Sequence, residues 1–233
     1  MTESKKCTAA IIVAAGSSHR MGESVSKQFL EVKGVPVLVR TLQSFEACPE
    51  ISRIVVVTKE SFIPAVLEMA EVYGIQKLTA VVAGGDTRAA SARCGFEAIG
   101  NDVTHVAIHD GARCLITPKE IAAVCLSAYR HGAATAAIPV TDTVKLATKD
   151  GVIATTLDRR RIHLAATPQI FDTELYRKAL ATGNTEATDD NQLVEALPHP
   201  VKLVECSREN IKITFPEDIP LAEFYLSRRE GLS

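Results

Sequence analysis

Short apolar segments alternate along this chain with amphipathic or alanine-rich segments long enough to form helices, and no other feature constrains the fold as strongly. Two of these helices are predicted at 36–47 and 118–130, and each opens with a proline, which suits the start of a helix. The alternation predicts an α/β fold, a Rossmann-like, mostly parallel sheet flanked by helices. In such sheets, ligands bind at the carboxyl ends of the strands. The apolar segments, which predict β-strands, lie at about 8–14, 53–58, 78–83, 104–109 and 133–138.

Residues 139–166 interrupt this alternation. Within them, 143–157 contains two β-segments around a Lys149-Asp150-Gly151 turn, which is a strong signal for a β-hairpin. A lone hairpin is only marginally stable in water, so this one is expected to pack either on a second subunit or on its own domain. No repeat or linker is visible elsewhere. The chain 1–233 is therefore predicted to be one domain with an arm inserted at about 139–166.

The last third of the chain is predicted to return to the sheet. Short strands are expected at 201–205 and 210–214. The segment 214–218 combines a capping hydroxyl, a proline and two acids, which predicts the start of a terminal helix.

Composition excludes several classes of protein. The formal net charge of the 233 residues is −2, without the strongly basic face of a nucleic-acid-binding protein, so no nucleic-acid partner is expected. The start of the chain lacks the apolar core of a secretion signal, and no apolar run approaches the length of a membrane span, so we expect a cytoplasmic protein. The six cysteines show no C-x-x-C spacing, which disfavours a zinc site or a dithiol redox motif.

The loop after the first predicted strand combines small residues with two cations. Backbone N–H groups of small residues can approach a ligand closely, and arginine and lysine supply charge where phosphates would lie. This combination indicates a nucleoside triphosphate site. The small residues are Ala14, Ala15, Gly16 and Ser17, and the cations are Arg20 and Lys27.

Two better-known phosphate motifs do not fit this loop. A dinucleotide-binding fingerprint needs a second glycine where this chain has Ser18, and an acid at the end of the next strand, which here ends at Thr58. A P-loop needs a Lys-Ser or Lys-Thr pair directly after its second glycine, and none follows Gly22.

Two further loops are predicted at the same edge of the sheet. The first has the glycines to bring backbone against a base or ribose, and a serine to add a directional hydrogen bond; its candidate residues are Gly84, Gly85, Asp86 and Ser91. The second contains Asp110, whose carboxylate is placed to hold Mg²⁺ against triphosphate oxygens. The alternative, which stays open, is that Asp110 caps its loop or pairs with Arg113.

Cations downstream suggest a second phosphate site. Arg159 lies in a basic run, 158–161, beside the hydroxyl-rich arm, and it either belongs to a solvated face or binds a phosphate through two hydrogen bonds. Lys212 interrupts the apolar pair Ile211 and Ile213, and it either reaches a phosphate or protects an edge strand from aggregation.

The order of these motifs resembles that of the 2-C-methyl-D-erythritol 4-phosphate cytidylyltransferase family over nearly the whole chain. The resemblance implies a homodimer joined through the β-arm, and an enzyme that combines CTP with methylerythritol phosphate to give the CDP-alcohol and pyrophosphate. The matching motifs are Ala14-Ala15-Gly16, Arg20-Met21, Lys27-Gln28-Phe29-Leu30, Gly84-Gly85, Arg88, Ser91, His109-Asp110, Ala112-Arg113, Pro139, Asp142-Thr143-Val144-Lys145, Thr167-Pro168-Gln169, Thr188-Asp189-Asp190 and Asn210 to Thr214.

The resemblance also implies roles for single residues. Arg20 and Lys27 would stabilise the charged transition state, and Arg159 and Lys212 complete the implied catalytic set. Asp110 would be the magnesium ligand. The CTP site would be lined by Ala14, Ala15, Gly16, Ser17, Gly84, Gly85, Asp86 and Ser91. Methylerythritol phosphate would be held by Asp110, Thr167 and Lys212, together with Thr143 and Arg159 from the partner's arm.

Three positions depart from the family pattern, because Ser26 and Cys114 stand where proline is common and Gly111 where alanine is usual. Two other functions remain open from the residues alone. One is ribitol-5-phosphate cytidylyltransferase, which shares the fold, the CTP loop and a similar arm. The other is a CTP-sensing module without catalysis, which would have no evident need for all the predicted cations and a second phosphate site.

Overall fold

The computed structural model describes residues 6–16, 27–183 and 187–231. Its centre is a seven-stranded sheet in the order β11-β7-β10-β6-β1-β4-β5. Four pairings are parallel, and only β10 runs antiparallel to its neighbours β6 and β7. The strands are β1 (Thr8–Val13), β4 (Ile51–Thr58), β5 (Leu78–Ala83), β6 (His105–Asp110), β7 (Ala133–Pro139), β10 (His163–Asp172) and β11 (Lys202–Glu205). The predicted α/β class is confirmed.

Helices cover both faces of this sheet. Side chains alternate between faces along a strand, so Ile12 packs in one apolar layer and Ile11 in the other. The first layer includes Leu38, and the second includes Ala92 and Phe96. This double covering explains the nearly unbroken apolar sequence of β1. The helices are α1 (Val37–Glu46), α2 (Ile63–Val72), α3 (Arg88–Glu97), α4 (Pro118–His131), α5 (Thr173–Ala181), α6 (Asp190–Glu195) and α7 (Asp218–Arg229).

Local signals fix the ends of α4. Thr117 and Glu120 form a capping box at its start, and Gly132 ends it with a φ of 78°. A positive φ favours glycine, because glycine has no Cβ to clash with the backbone in that conformation.

The predicted hairpin is present as a separate two-stranded sheet, β8 (Lys145–Ala147) with β9 (Ile153–Thr156). All seven strand residues are exposed, and Leu146 and Ile153 are exposed by 53% and 61%. A smaller ribbon pairs β2 (Glu31–Val32) with β3 (Val35–Pro36), ahead of α1. The arm therefore leaves apolar side chains without cover from its own domain.

The prediction of a strand at 210–214 is wrong. The alternating pattern arises because this extended segment docks on the domain. Ile213 is buried in a third apolar cluster with Leu115 and with Ala222 of α7, and the Ile213 N–H donates to the carbonyl of Ala112. The terminal helix is present but begins at Asp218. The Asp218 carboxylate accepts the N–H groups of Thr214 and Phe215, so it closes the turn before the helix.

Within the described ranges, no helix is both long enough and apolar enough to cross a membrane.

Candidate active site

A cavity of about 600 Å³ opens at the carboxyl ends of β1, β4, β5 and β6. Four separate turns converge on it, as expected for an open α/β sheet. Its lining consists of Val13, Ala14, Ala15, Gly16, Gln28, Lys59, Glu60, Gly84, Gly85, Asp86, Thr87, Arg88, Ser91, Asp110, Gly111, Ala112 and Lys212.

The turn between β5 and α3 forms one wall and packs directly on the first loop. A Cβ added to Gly84 would lie 2.5 Å from Ala15 Cβ and 2.7 Å from Ser91 Oγ, so glycine is required for this close approach. The Ser91 hydroxyl donates to the carbonyl of Gly85 at 3.2 Å. Thr87 caps α3 by accepting the Ala90 N–H. The start of α3 thus faces the cavity, and the N-terminus of a helix favours anions.

Asp110, the last residue of β6, forms the second wall and lies among three cations. Its Oδ2 is 2.9 Å from Lys212 Nζ and 3.5 Å from Arg113 Nε, and its Oδ1 is 3.5 Å from Arg88 Nε. Burial alone would raise the pKa of this carboxyl, but Lys212 and Arg88 hold the pKa well below its ordinary value. Asp110 is therefore ionised at neutral pH. It pairs with Arg113, as one sequence interpretation predicted, and it also lines the cavity, while its magnesium role stays a prediction.

Behind Asp110, a buried histidine and threonine fix its backbone. Thr167 is 3% exposed, and its hydroxyl accepts the Asp110 N–H at 3.1 Å and lies 3.0 Å from His109 Nδ1. Burial lowers the pKa of His109 to about 3, so its ring is neutral. The hydroxyl can then donate to Nδ1, while the His109 Nε2–H donates to the carbonyl of Arg113 at 3.3 Å. Thr167 therefore supports Asp110 from behind and is not part of the cavity lining.

Arg88 links this site to a residue that is distant in the sequence, and the sequence alone did not predict this link. Its Nη1 donates to Asp190 Oδ2 at 2.6 Å, across 102 residues. Burial alone would lower the pKa of the guanidinium, but Asp190 and Asp110 raise it above its ordinary value. The motifs that contain Arg88 and Asp190 were visible in the sequence, but their pairing was not.

Gln28 and two charged residues, Lys59 and Glu60, also line the cavity and were not singled out from the sequence. Gln28 is 2% exposed, and its Nε2 has no hydrogen-bond partner within the ranges that the structure describes. The only sequence signal for it was its place beside Lys27 in the matching motif.

Apart from Thr167, which lies behind Asp110, the predicted site residues fall into three groups. Those brought together at the cavity are Ala14, Ala15, Gly16, Gly84, Gly85, Asp86, Ser91, Asp110 and Lys212. Thr143 and Arg159 lie on the arm, outside the cavity lining, and Arg159 Nη1 donates to the carbonyl of Thr141. Ser17 and Arg20 lie outside the described residues, as does the side chain of Lys27, whose backbone begins a short 3₁₀ turn, Lys27–Phe29.

Two of the three departures from the family pattern can be located. Gly111 lines the cavity, and a Cβ there would lie 3.2 Å from Ala14 Cβ and 3.3 Å from Val13 O. Cys114 is 4% exposed, and burial raises the pKa of its thiol to about 11, so it is unreactive at neutral pH. Ser26 lies outside the described residues.

The donors at the cavity suit a magnesium ion that takes most of its ligands from a substrate. Mg²⁺ is usually bound by one or two carboxylates together with phosphate oxygens. Asp110 and Asp86 both reach the cavity. Within the described part of the chain, no group of three or more His, Cys, Asp or Glu side chains is placed to form an all-protein metal site.

Comparison with known proteins identifies the family. The family model described as 2-C-methyl-D-erythritol 4-phosphate cytidylyltransferase matches residues 8–228. A relative of that name from Pelotomaculum thermopropionicum is 42% identical over 229 residues, which cover 96% of this chain and 95% of the relative. The chain belongs to this family. A second member, from Syntrophus aciditrophicus, is 43% identical over 227 residues, which cover 95% of this chain and 97% of the relative.

Solved structures of the cytidylyltransferase family share the fold. The 4-diphosphocytidyl-2C-methyl-D-erythritol synthase from Anaerococcus prevotii superposes with a TM-score of 0.86 at 31% identity, covering 95% of this chain and 96% of that one. The 2-C-methyl-D-erythritol 4-phosphate cytidylyltransferase from Thermus thermophilus gives a TM-score of 0.75 at 34% identity, covering 96% and 99%. The Rossmann-like α/β architecture is therefore common to the chain and these relatives.

Proposed function

We propose that this protein transfers the cytidylyl group of CTP to 2-C-methyl-D-erythritol 4-phosphate, giving 4-diphosphocytidyl-2-C-methyl-D-erythritol and pyrophosphate for isoprenoid precursor synthesis. Membership of the family supports the reaction. The observation that carries the proposal in this chain is the cavity itself, where a close-packed glycine turn, the start of α3 and the ionised Asp110–Lys212 pair converge.

In this reaction a phosphate oxygen of the acceptor attacks the α-phosphorus of CTP. A new P–O bond forms there, the bond to the β-phosphate oxygen breaks, and pyrophosphate leaves with its electron pair. The acceptor phosphate is already ionised at neutral pH, so the step needs no protein nucleophile or base. Catalysis then depends on positioning and on stabilising negative charge.

The proposed roles follow from position for the residues that line the cavity, and from the family resemblance for Ser17, Arg20 and Lys27. Ala14, Ala15, Gly16, Ser17, Gly84, Gly85, Asp86 and Ser91 bind CTP. Arg20 and Lys27 stabilise the charge that develops at the α-phosphate. Lys212, held by Asp110, presents its ammonium to the reacting phosphates. Asp110 remains ionised and does not transfer protons.

Asp110 is also the residue that would hold Mg²⁺, with phosphate oxygens as its other ligands. When bound, the ion neutralises triphosphate charge and favours the departure of pyrophosphate. Because Lys212 occupies Oδ2 at 2.9 Å, the metal would share the carboxylate with this lysine.

The arm supports a homodimer. Leu146, Val152 and Ile153 are all more than half exposed on a hairpin that would be marginally stable alone. A second copy would cover these side chains, and its arm would bring Thr143 and Arg159 to the acceptor phosphate. Thr167 would then act at the acceptor through Asp110, whose backbone it holds.

We also propose a cytoplasmic location. All six cysteines are free thiols, as suits a reducing compartment.

Pyrophosphate release tests the function against its alternatives. Purified protein with Mg²⁺ and CTP receives methylerythritol phosphate, ribitol 5-phosphate or no acceptor. We expect stoichiometric pyrophosphate and CDP-alcohol with methylerythritol phosphate, and little turnover with ribitol 5-phosphate. Faster turnover with ribitol 5-phosphate would replace the proposed acceptor, and CTP binding without turnover on either acceptor would favour a sensing module.

A further inference from the structure

A chain of hydrogen bonds, fully buried at its start and partly buried at Arg88, leads from the helical layer behind the sheet to the cavity. Tyr176 of α5 is fully buried, and its hydroxyl donates to Asp190 Oδ1 at 2.6 Å. The other carboxylate oxygen accepts from Arg88 Nη1 at 2.6 Å, and Arg88 Nε reaches towards Asp110 Oδ1 at 3.5 Å. The chain therefore connects a core tyrosine with the carboxylate at the end of β6.

The tyrosine ring is held in place by neighbouring aromatic rings. It stacks on Phe171 of β10, with centroids 5.4 Å apart and an angle of 8°, and meets Phe96 of α3 edge-on at 5.1 Å. Contacts among α3, β10 and α5 thus fix the position of one hydroxyl. Rotamers locked by packing are what a group needs in order to orient another.

Asp190 is fully buried, and a buried carboxylate requires partners. Besides Tyr176 and Arg88, its own N–H donates to Gln169 Oε1 at 2.9 Å, which ties the start of α6 to β10. Without the tyrosine hydroxyl, Oδ1 would lose its donor and the carboxylate would be free to turn. The Arg88 guanidinium, which spans Asp190 and Asp110, would then lose its fixed orientation.

We propose that Tyr176 is a positioning residue for the cytidylyl transfer, acting through Asp190 to hold Arg88 against Asp110 in the cavity. This role rests on the proposed function. It makes the aromatic cluster behind the sheet part of the machinery that orders the site's charges, although Tyr176 touches no substrate.

Tyr176→Phe is the direct test, because it keeps the ring and removes only the hydroxyl. Tyr129→Phe is its matched control, since that hydroxyl also makes a short bond, 2.7 Å to Thr8 Oγ1, but at the opposite end of β1. We expect both variants to lower the melting temperature, and only Tyr176→Phe to lower kcat, by about tenfold. Equal kcat for the two variants would overturn the proposal.

A double-mutant cycle shows whether the effect passes through Arg88. Arg88→Lys keeps the charge but cannot bridge two carboxylates with one planar group. In that background, we expect Tyr176→Phe to change kcat by less than about twofold, because the connection is already broken. The same tenfold loss in both backgrounds would show that Tyr176 acts by another route.

A readout independent of catalysis separates this proposal from the proposed function. In ¹⁵N-edited spectra of the free protein, we expect the Arg88 Nε–H signal, assigned with Arg88→Lys, to be sharp and to broaden in Tyr176→Phe only. If that holds while wild-type protein shows no cytidylyl transfer, the function is wrong and the positioning stands. An unaffected Arg88 signal in an active enzyme would refute the positioning alone.

Discussion

Asp110 shows how one residue organises the charges of the site. This one carboxylate at the end of β6 contacts three cations. They come from the start of α3, from the loop after β6 and from the segment before α7. Its negative charge allows Arg88, Arg113 and Lys212 to lie close together without a substrate. Arg88 and Lys212 line the cavity, so we expect these two cations to meet an entering triphosphate, whereas Arg113 lies outside the lining.

Lys212 is expected to contribute mainly to the chemical step. Lys212→Gln removes the ammonium beside Asp110, and we expect kcat/KM to fall by about 100-fold or more, as when a preorganised donor is removed from a charged transition state. The melting temperature should fall only modestly, because Asp110 loses its nearest cation but keeps Arg88 and Arg113 within 3.5 Å. Lys202→Gln, at an exposed lysine of β11, is the control. A near-normal kcat/KM for Lys212→Gln would contradict the assigned role.

Asp110 is also expected to cause part of the loss of folding stability at acid pH. Because its folded-state pKa lies below the unfolded value, its contribution to stability is complete above about pH 4 and decreases as the pH falls further. Between pH 6 and pH 3, wild-type protein should lose about 1 kcal/mol more unfolding free energy than Asp110→Asn. Urea unfolding at the two pH values measures this difference.

Asp150→Asn, at an exposed carboxylate in the turn of the arm, is the control for this comparison. It should follow the wild-type pH dependence. If Asp110→Asn also followed the wild-type dependence, the ion pairs around Asp110 would not be those described.

At the residue scale, the sequence predicted the polar groups better than their partners. Asp110 and Lys212 were both singled out, but their contact depends on a docked segment that the sequence pattern presented as a strand. The pairing of Arg88 with Asp190 spans 102 residues and depends on the packing of α6 against β10. No local pattern carries that information.

At the element scale, the turn between β5 and α3 depends on a close contact that only glycine permits. The glycine of this turn is Gly84. A comparable glycine in the core is Gly95, where an added Cβ would lie 2.4 Å from Ile11 Cγ2. Gly84 lies against Ala15 of the first loop and Gly95 against Ile11 of β1, and of the two only Gly84 borders the cavity. The pair therefore separates the effect of overpacking from the effect on the site.

Gly84→Ala is expected to weaken CTP binding selectively. Overpacking typically costs about 1–3 kcal/mol, so Gly84→Ala and Gly95→Ala should both lower the unfolding free energy. Only Gly84→Ala displaces Ala15 and Ser91, and we expect it alone to raise the KM for CTP, by about tenfold. Denaturant unfolding and steady-state kinetics of the two variants check this. A raised KM in both would assign the effect to general loosening of the fold.

Elements with strong local signals could be predicted from the sequence. The five strand segments, the hairpin turn and the proline that opens α4 were all placed within a few residues. The segment 210–214 could not be, because alternation of apolar and polar residues arises equally from strand pairing and from an extended segment docked on a helix. Tertiary packing decides between these outcomes.

At the scale of the whole molecule, the arm separates the predicted residues into two groups. Asp110 and Lys212 meet in one cavity, whereas Thr143 and Arg159 lie outside its lining. The proposed dimer would unite them by bringing each arm to the other subunit. Its symmetry makes this testable, since every site would then combine residues from two chains.

Subunit complementation tests the shared site. Arg159→Ala and Lys212→Gln are each expected to be nearly inactive. If Arg159 acts across the dimer, a mixed dimer contains one doubly altered site and one intact site, so an equal mixture should recover about a quarter of wild-type activity. Activity is measured after mixing under conditions that allow subunits to exchange. Failure to recover activity in verified mixed dimers would place Arg159 in its own subunit's site or in no site.

We expect CTP to react in the cavity at the carboxyl ends of β1, β4, β5 and β6. A crystal structure with CTP and Mg²⁺ tests this most directly. We expect the nucleotide between the Gly84–Ser91 turn and the first loop, with its phosphates beside Lys212 and the metal at Asp110. CTP bound elsewhere, with this cavity empty, would contradict the account.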